Sequence, residues 1–265
     1  MSAMLLLPAP VASNSFKIGQ LLADPLHPDV DSFHNENDML SLRAPTVQTH
    51  FREMLECDDA GQFIGRHSHT STSNERSVLI EAEKMSHTTL RDPLSAFRYV
   101  SRRASSQAYL HQAALHRKPL YYVTAIQTLS NYHYMDDDPN IAIAKKPQVR
   151  RHDSGISLNE QDGNVILAVE LTKVYCRIGS PDEPQRPSDI GYAYKYYPLQ
   201  GEEQRQLAVG FGPAVDYQEF RNLVGISSDS DYTDASADSD SFDEDEDEGC
   251  MCCSSSISNA SYRRY

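Results

Sequence analysis

The residues of this chain that could do chemistry are scattered rather than gathered. His67-Ser68-His69 can set two imidazoles on one face of a strand. A structural metal site needs about four ligands, and no cysteine or carboxylate cluster accompanies the pair, so no metal is expected. No nucleophile elbow, Walker loop, dinucleotide fingerprint or zincin helix is present. Gly155, Gly163 and Gly179 stand alone. The expectation is a protein that is not an enzyme and uses no cofactor. An active site assembled from distant residues is the reading held against this, and a deep pocket with converging polar groups would be its sign.

Three other groups could be modified or could bind. Cys250-Met251-Cys252-Cys253 offers thiols for S-acylation. Each buried methylene of an acyl chain contributes about 0.8 kcal/mol, and two chains anchor stably. Against this, Asp243–Glu248 are six consecutive acidic residues, which an anionic leaflet repels. An unmodified terminus is the plainer reading. Ser228 and Ser241 each have an acidic residue three positions on, Asp231 and Glu244, which suits an acid-directed kinase. Arg98, Arg102, Arg103, Arg117 and Lys118 lie on one helical segment, and Lys145, Lys146, Arg150 and Arg151 follow in a polar connection. The helical set can meet nucleic acid or anionic headgroups. A solvated helix face explains them equally well.

Charge is unevenly distributed along the 265 residues. The net charge is -14, yet Ile226–Tyr265 holds 11 acidic residues against two arginines. Residues 1–225 are therefore nearly balanced at -5. The acidic total disfavours nucleic acid as a partner. Hydrophobic residues make up 39%, so part of the chain is expected to stay unfolded. The five cysteines include isolated Cys57 and Cys176 and form no disulfide framework, which favours a reducing, cytoplasmic setting. The opening Leu5-Leu6-Leu7 run is cut by Pro8 and Pro10 and makes a poor signal peptide.

The elements that must position these residues follow from periodicity. Residues 1–15 read as a flexible arm, 16–225 as one α+β domain and 226–265 as a disordered acidic tail. Val47–Cys57 fits a strand or a short helix. Residues 77–85 alternate, with Val78, Ile80 and Ala82 on one face and Glu81 and Glu83 on the other. Asp92-Pro93 caps one long helix that runs to Lys118-Pro119. Its predicted buried stripe is Leu94, Phe97, Tyr99, Ala104, Ala108, Leu110 and Leu115. Leu120–Tyr134 and Val165–Ile178 are β-branched and aromatic, as strands are. Residues 190–199 form a third strand, with Tyr192, Tyr194 and Tyr196 on one face. Residues 206–211 read as an edge strand, and 213–223 as a last helix.

The ordered set of Phe16-Lys17-Ile18-Gly19-Gln20-Leu21-Leu22-Ala23-Asp24-Pro25, Leu120-Tyr121-Tyr122-Val123-Thr124-Ala125-Ile126 and Ile190-Gly191-Tyr192-Ala193-Tyr194-Lys195-Tyr196 resembles a group of fungal intracellular proteins. It is also similar to the N-terminal pore-forming domain of gasdermins. That resemblance implies a twisted antiparallel sheet flanked by helices. It implies self-association into oligomers on membranes, with about 60–90 and 123–175 as the inserting regions. By the same resemblance the basic helix and the 145–151 linker touch anionic membrane lipids. The polar, irregular stretches 60–76 and 135–160 depart from the ~9–11 alternating residues that a membrane strand needs, and the tail replaces a large repressor domain. The functional expectation is a cytoplasmic protein recruited to the plasma membrane, forming pores in regulated cell death. The acidic tail would restrain it, and a protease or kinase would regulate it. A non-enzymatic interaction scaffold with a phospho-regulated tail is the alternative.

Overall fold

The computed structural model describes residues 4–35, 40–66, 76–136, 163–180, 191–199 and 202–225. The chain divides into two units, 1–227 and 228–265, and the described residues all belong to the first. They form ten strands: β1 (Leu5–Ala12), β2 (Leu21–Leu22), β3 (Ser32–Phe33), β4 (Thr46–Cys57), β5 (Phe63–Arg66), β6 (Arg76–Thr89), β7 (Leu120–Asp136), β8 (Asn164–Gly179), β9 (Ala193–Leu199) and β10 (Glu202–Ala214). Three helices accompany them: α1 (Pro93–Val100), α2 (Ala104–His116) and α3 (Tyr217–Val224).

Alternation and β-branching account for the long central strands. Val78, Ile80 and Ala82 of β6 are buried on one face; on the other, Glu83 is exposed as expected, but Glu81 is buried between Arg52 and His133. The whole sheet is antiparallel and runs in the order β5-β4-β6-β7-β8-β10-β9. β1 pairs with β8, and β2 with β7 and β3. β1 also packs against β5, so that part of the sheet curls on itself. The architecture is α+β, a curled antiparallel sheet with few helices. Beneath the curl lies one apolar cluster that includes Leu6, Phe51, Leu55, Ile80, Leu129 and Leu167. On one sheet face α1 and α2 cover a second cluster with Phe97, Leu110, Tyr122, Val174 and Val209. α3 and β1 close a third, which holds Leu5, Val123, Val169, Leu171 and Phe220.

Several expectations are corrected. Residues 1–15 are not all a loose arm, because Leu5, Leu6 and Leu7 are buried in β1. The register of β1 shifts between Leu6 and Val11, which takes Pro8 and Pro10 out of the regular ladder. Val47–Cys57 is strand. Residues 206–211 are not an edge, since β10 lies between β8 and β9. β9 ends the sheet, and its Pro198 and Lys195 are residues that discourage further pairing. The single helix over 92–118 is two helices, broken at 101–103.

Candidate functional site

Asp92 caps α1 by accepting the Ser95 backbone N–H at 3.1 Å, and hydrogen bonds from the Ser95 hydroxyl first and its backbone N–H second hold the Asp92 carboxyl below the ordinary range. Pro93 takes the first helical position, where its missing N–H costs nothing. Eight residues later the chain turns. Ser101 is buried, and its hydroxyl shares a 2.8 Å hydrogen bond with the Tyr197 hydroxyl of β9. Phe97 packs edge-on to Tyr122 at 5.3 Å and against Phe211 at 5.0 Å. These contacts hold the α1–α2 elbow to the sheet from beneath. They also leave the buried line as Phe97, Val100, Ser106, Leu110, Ala113 and Ala114. Of the predicted stripe, Tyr99 is exposed because it lies two residues from Phe97, on the opposite side of α1, and Ala104, Ala108 and Leu115 are exposed because the break at 101–103 resets the helical phase.

The elbow turns its charge outward. Arg98 and Arg102 are exposed, and Arg103 is half-buried. Arg103 donates to the Tyr99 hydroxyl at 2.7 Å, with its guanidinium 5.0 Å from the ring centre. Tyr99 is 46% exposed. An amphipathic ring between arginines suits the boundary between water and acyl chains. No aspartate or glutamate occurs between Asp92 and Asp136, a local feature that the near-balanced charge of residues 1–225 conceals.

Arg117 and Lys118 do not join this group. α2 separates the two sets by about 20 Å, more than twice the screening length at physiological salt. Arg117 ends α2 in a left-handed turn. Lys118 donates to Asp31 at 2.5 Å, and the Asp31 carbonyl accepts the Tyr109 hydroxyl at 2.7 Å. Lys145, Lys146, Arg150, Arg151, His67, His69, Ser228, Ser241, Cys250, Cys252 and Cys253 lie outside the described residues. Cys176 is buried under α2, and that burial pushes its thiol up to about 12, so it is inert rather than reactive.

A second surface lies on the opposite face of the sheet. Tyr175, Tyr192, Tyr194 and Tyr196 form a row with ring centres 6.2 to 6.3 Å apart. Arg177 sits 5.7 Å from the Tyr194 ring centre. The row needs glycine beneath it, because a Cβ on Gly212 would fall 2.3 Å from the Tyr192 ring. The shared face of Tyr192, Tyr194 and Tyr196 was legible from their spacing. Tyr175, which extends the row from β8, was not.

No helix among the described residues is long and apolar enough to cross a membrane, which leaves crossing by strands open. A scan against protein-family models gave no match, and a search of curated proteins gave none either.

Proposed function

We propose that this is a non-enzymatic protein that binds anionic membrane surfaces through the α1–α2 elbow, and that it belongs among gasdermin-like pore formers of regulated cell death. The observation that carries this reading is the elbow itself. Three arginines and an exposed tyrosine are fixed to a long antiparallel sheet, in a segment that lacks acidic residues. Near an anionic leaflet each such cation contributes about 1 kcal/mol. Adjacent antiparallel β6, β7 and β8 are the arrangement from which strands could extend into lipid. In this reading the acidic tail acts as a restraint by charge, and the protein is cytoplasmic until recruited to the plasma membrane as an oligomer.

The test is a deletion of residues 226–265. The truncated protein is expected to bind phosphatidylserine vesicles more tightly than the full chain and to release an entrapped dye. A truncated protein that neither binds nor leaks such vesicles ends the membrane reading. The exposed tyrosine row favours a second reading, an interaction scaffold. That reading requires a specific protein partner lost on replacing Tyr175 and Tyr196, and no vesicle leakage.

A further inference from the structure

The turn between α1 and α2 reads Ser101-Arg102-Arg103-Ala104-Ser105-Ser106. Arginines two and three residues before a serine are what an arginine-directed serine/threonine kinase reads. Acidic subsites of such an enzyme take the two guanidinium groups in charge-assisted pairs. The geometry selects one of the three serines. Ser101 and Ser106 are 1% and 0% exposed, and Ser101 is held by Tyr197. Ser105 is exposed on the second residue of α2, with Arg102 exposed beside it.

This first turn also lacks the groups that usually stabilise a helix N-terminus. Arg103 stands at the cap position and makes no side-chain cap bond, and no acidic residue follows in the first turn. An uncapped turn frays at little cost and can enter a kinase cleft in extended form. We infer that Ser105 is the phosphorylation site of an arginine-directed kinase, and that its phosphate switches off the elbow's affinity for anionic surfaces. The second half of this rests on the membrane reading above.

In the step, the γ-phosphoryl group of a nucleoside triphosphate moves to Ser105 Oγ. A new oxygen–phosphorus bond forms, and the bond from the γ-phosphorus to the β,γ-bridging oxygen breaks. The nucleoside diphosphate leaves, and the serine proton passes to the kinase's carboxylate base. The product carries a charge of about -1.5 to -2. It supplies the anion that the first turn lacks and offsets about half to two-thirds of the charge on Arg98, Arg102 and Arg103.

The experiment uses the full chain, the catalytic subunit of an arginine-directed kinase and magnesium ATP, with the phosphate mapped by peptide mass spectrometry. Phosphatidylserine and phosphatidylcholine vesicles then report binding. Ser154, with Arg150 and Arg151 four and three residues before it, is the competing acceptor and lies outside the described residues. The phosphate is expected on Ser105 and absent from that peptide in Ser105→Ala. Phosphatidylserine binding should fall about 10- to 30-fold on phosphorylation. Ser105→Ala should bind as the unmodified protein does, and kinase treatment should no longer produce that fall. No phosphate on Ser105, or phosphate on Ser154 alone, overturns the site. Phosphate on Ser105 with unchanged binding overturns the switch. Unmodified protein that ignores both vesicles defeats the membrane reading instead, while the peptide map still decides the site.

Discussion

At the N-terminal end of α2, Arg98, Arg102 and Arg103 project from an elbow whose segment holds no acidic residue. At its C-terminal end, Arg117 terminates the helix and Lys118 is bound to Asp31. The same residue types do different work at the two ends. Cations at a helix C-terminus are favourable because they oppose the negative pole of the dipole, and Asp31 compensates Lys118 further. Arg103 has no such excuse. It occupies a cap position where Ser, Thr, Asp or Asn would stabilise the helix, and it makes no cap bond. What Arg103 does instead is donate to the Tyr99 hydroxyl and lie over its ring, which ties the start of α2 back to α1.

The contrast can be broken from beneath. Phe97→Ala removes the ring that packs on Tyr122 and Phe211, and it should destabilise the protein by about 3–4 kcal/mol in a denaturant melt. Elbow binding should weaken in parallel, because the arginines lose their platform. Under the other half of α2, Cys176 offers a pH test. Unfolded, its thiol ionises near 9.0; folded, it stays neutral up to about 12. Above pH 9 the unfolded chain has therefore released a proton that the folded chain still holds. The stabilisation is complete below pH 9 and is lost at about 1.4 kcal/mol per pH unit as pH rises toward 12. Cys176→Ala should flatten that alkaline slope, as read from melts at pH 8 to 11.

Smaller effects sharpen the comparison. Arg103→Asp should raise stability by about 1 kcal/mol through a new cap while weakening vesicle binding, so the two readouts move in opposite directions. If both rise, Arg103 is not part of the binding surface. Lys118→Ala breaks a partly exposed ion pair and should cost only about 0.5 kcal/mol, with little change in binding.

The sequence carried the long strands clearly. Period-two alternation of residue type marks β6, although Glu81 is buried, and β-branched and aromatic runs mark β7 and β8, which are buried on both faces over 120–126 and 165–169. β1 was hidden because Pro8 and Pro10 read as breakers, and only pairing with β8 around a shifted register shows how they are tolerated. The break in the long helix was hidden for a different reason. No proline or glycine marks it. Ser101 is held by Tyr197, 96 residues away, and a contact that distant leaves no local signal. The basic residues were visible as candidates, but the separation of the two ends of α2 depends on the break at 101–103 and on Asp31, which sequence periodicity does not connect to Lys118.

The most direct measurement reverses the elbow. Full-length protein and a chain lacking residues 226–265 would each carry Arg98→Glu, Arg102→Glu and Arg103→Glu, and be titrated against phosphatidylserine vesicles beside their unsubstituted parents. Arg117→Glu in the same backgrounds would report on the other end of α2. The elbow reversal changes six charges and should lower affinity by a factor on the order of 10,000 with melting temperature nearly unchanged, and Arg117→Glu by less than about tenfold. Equal losses from the two ends, or no loss from the elbow, would contradict the account.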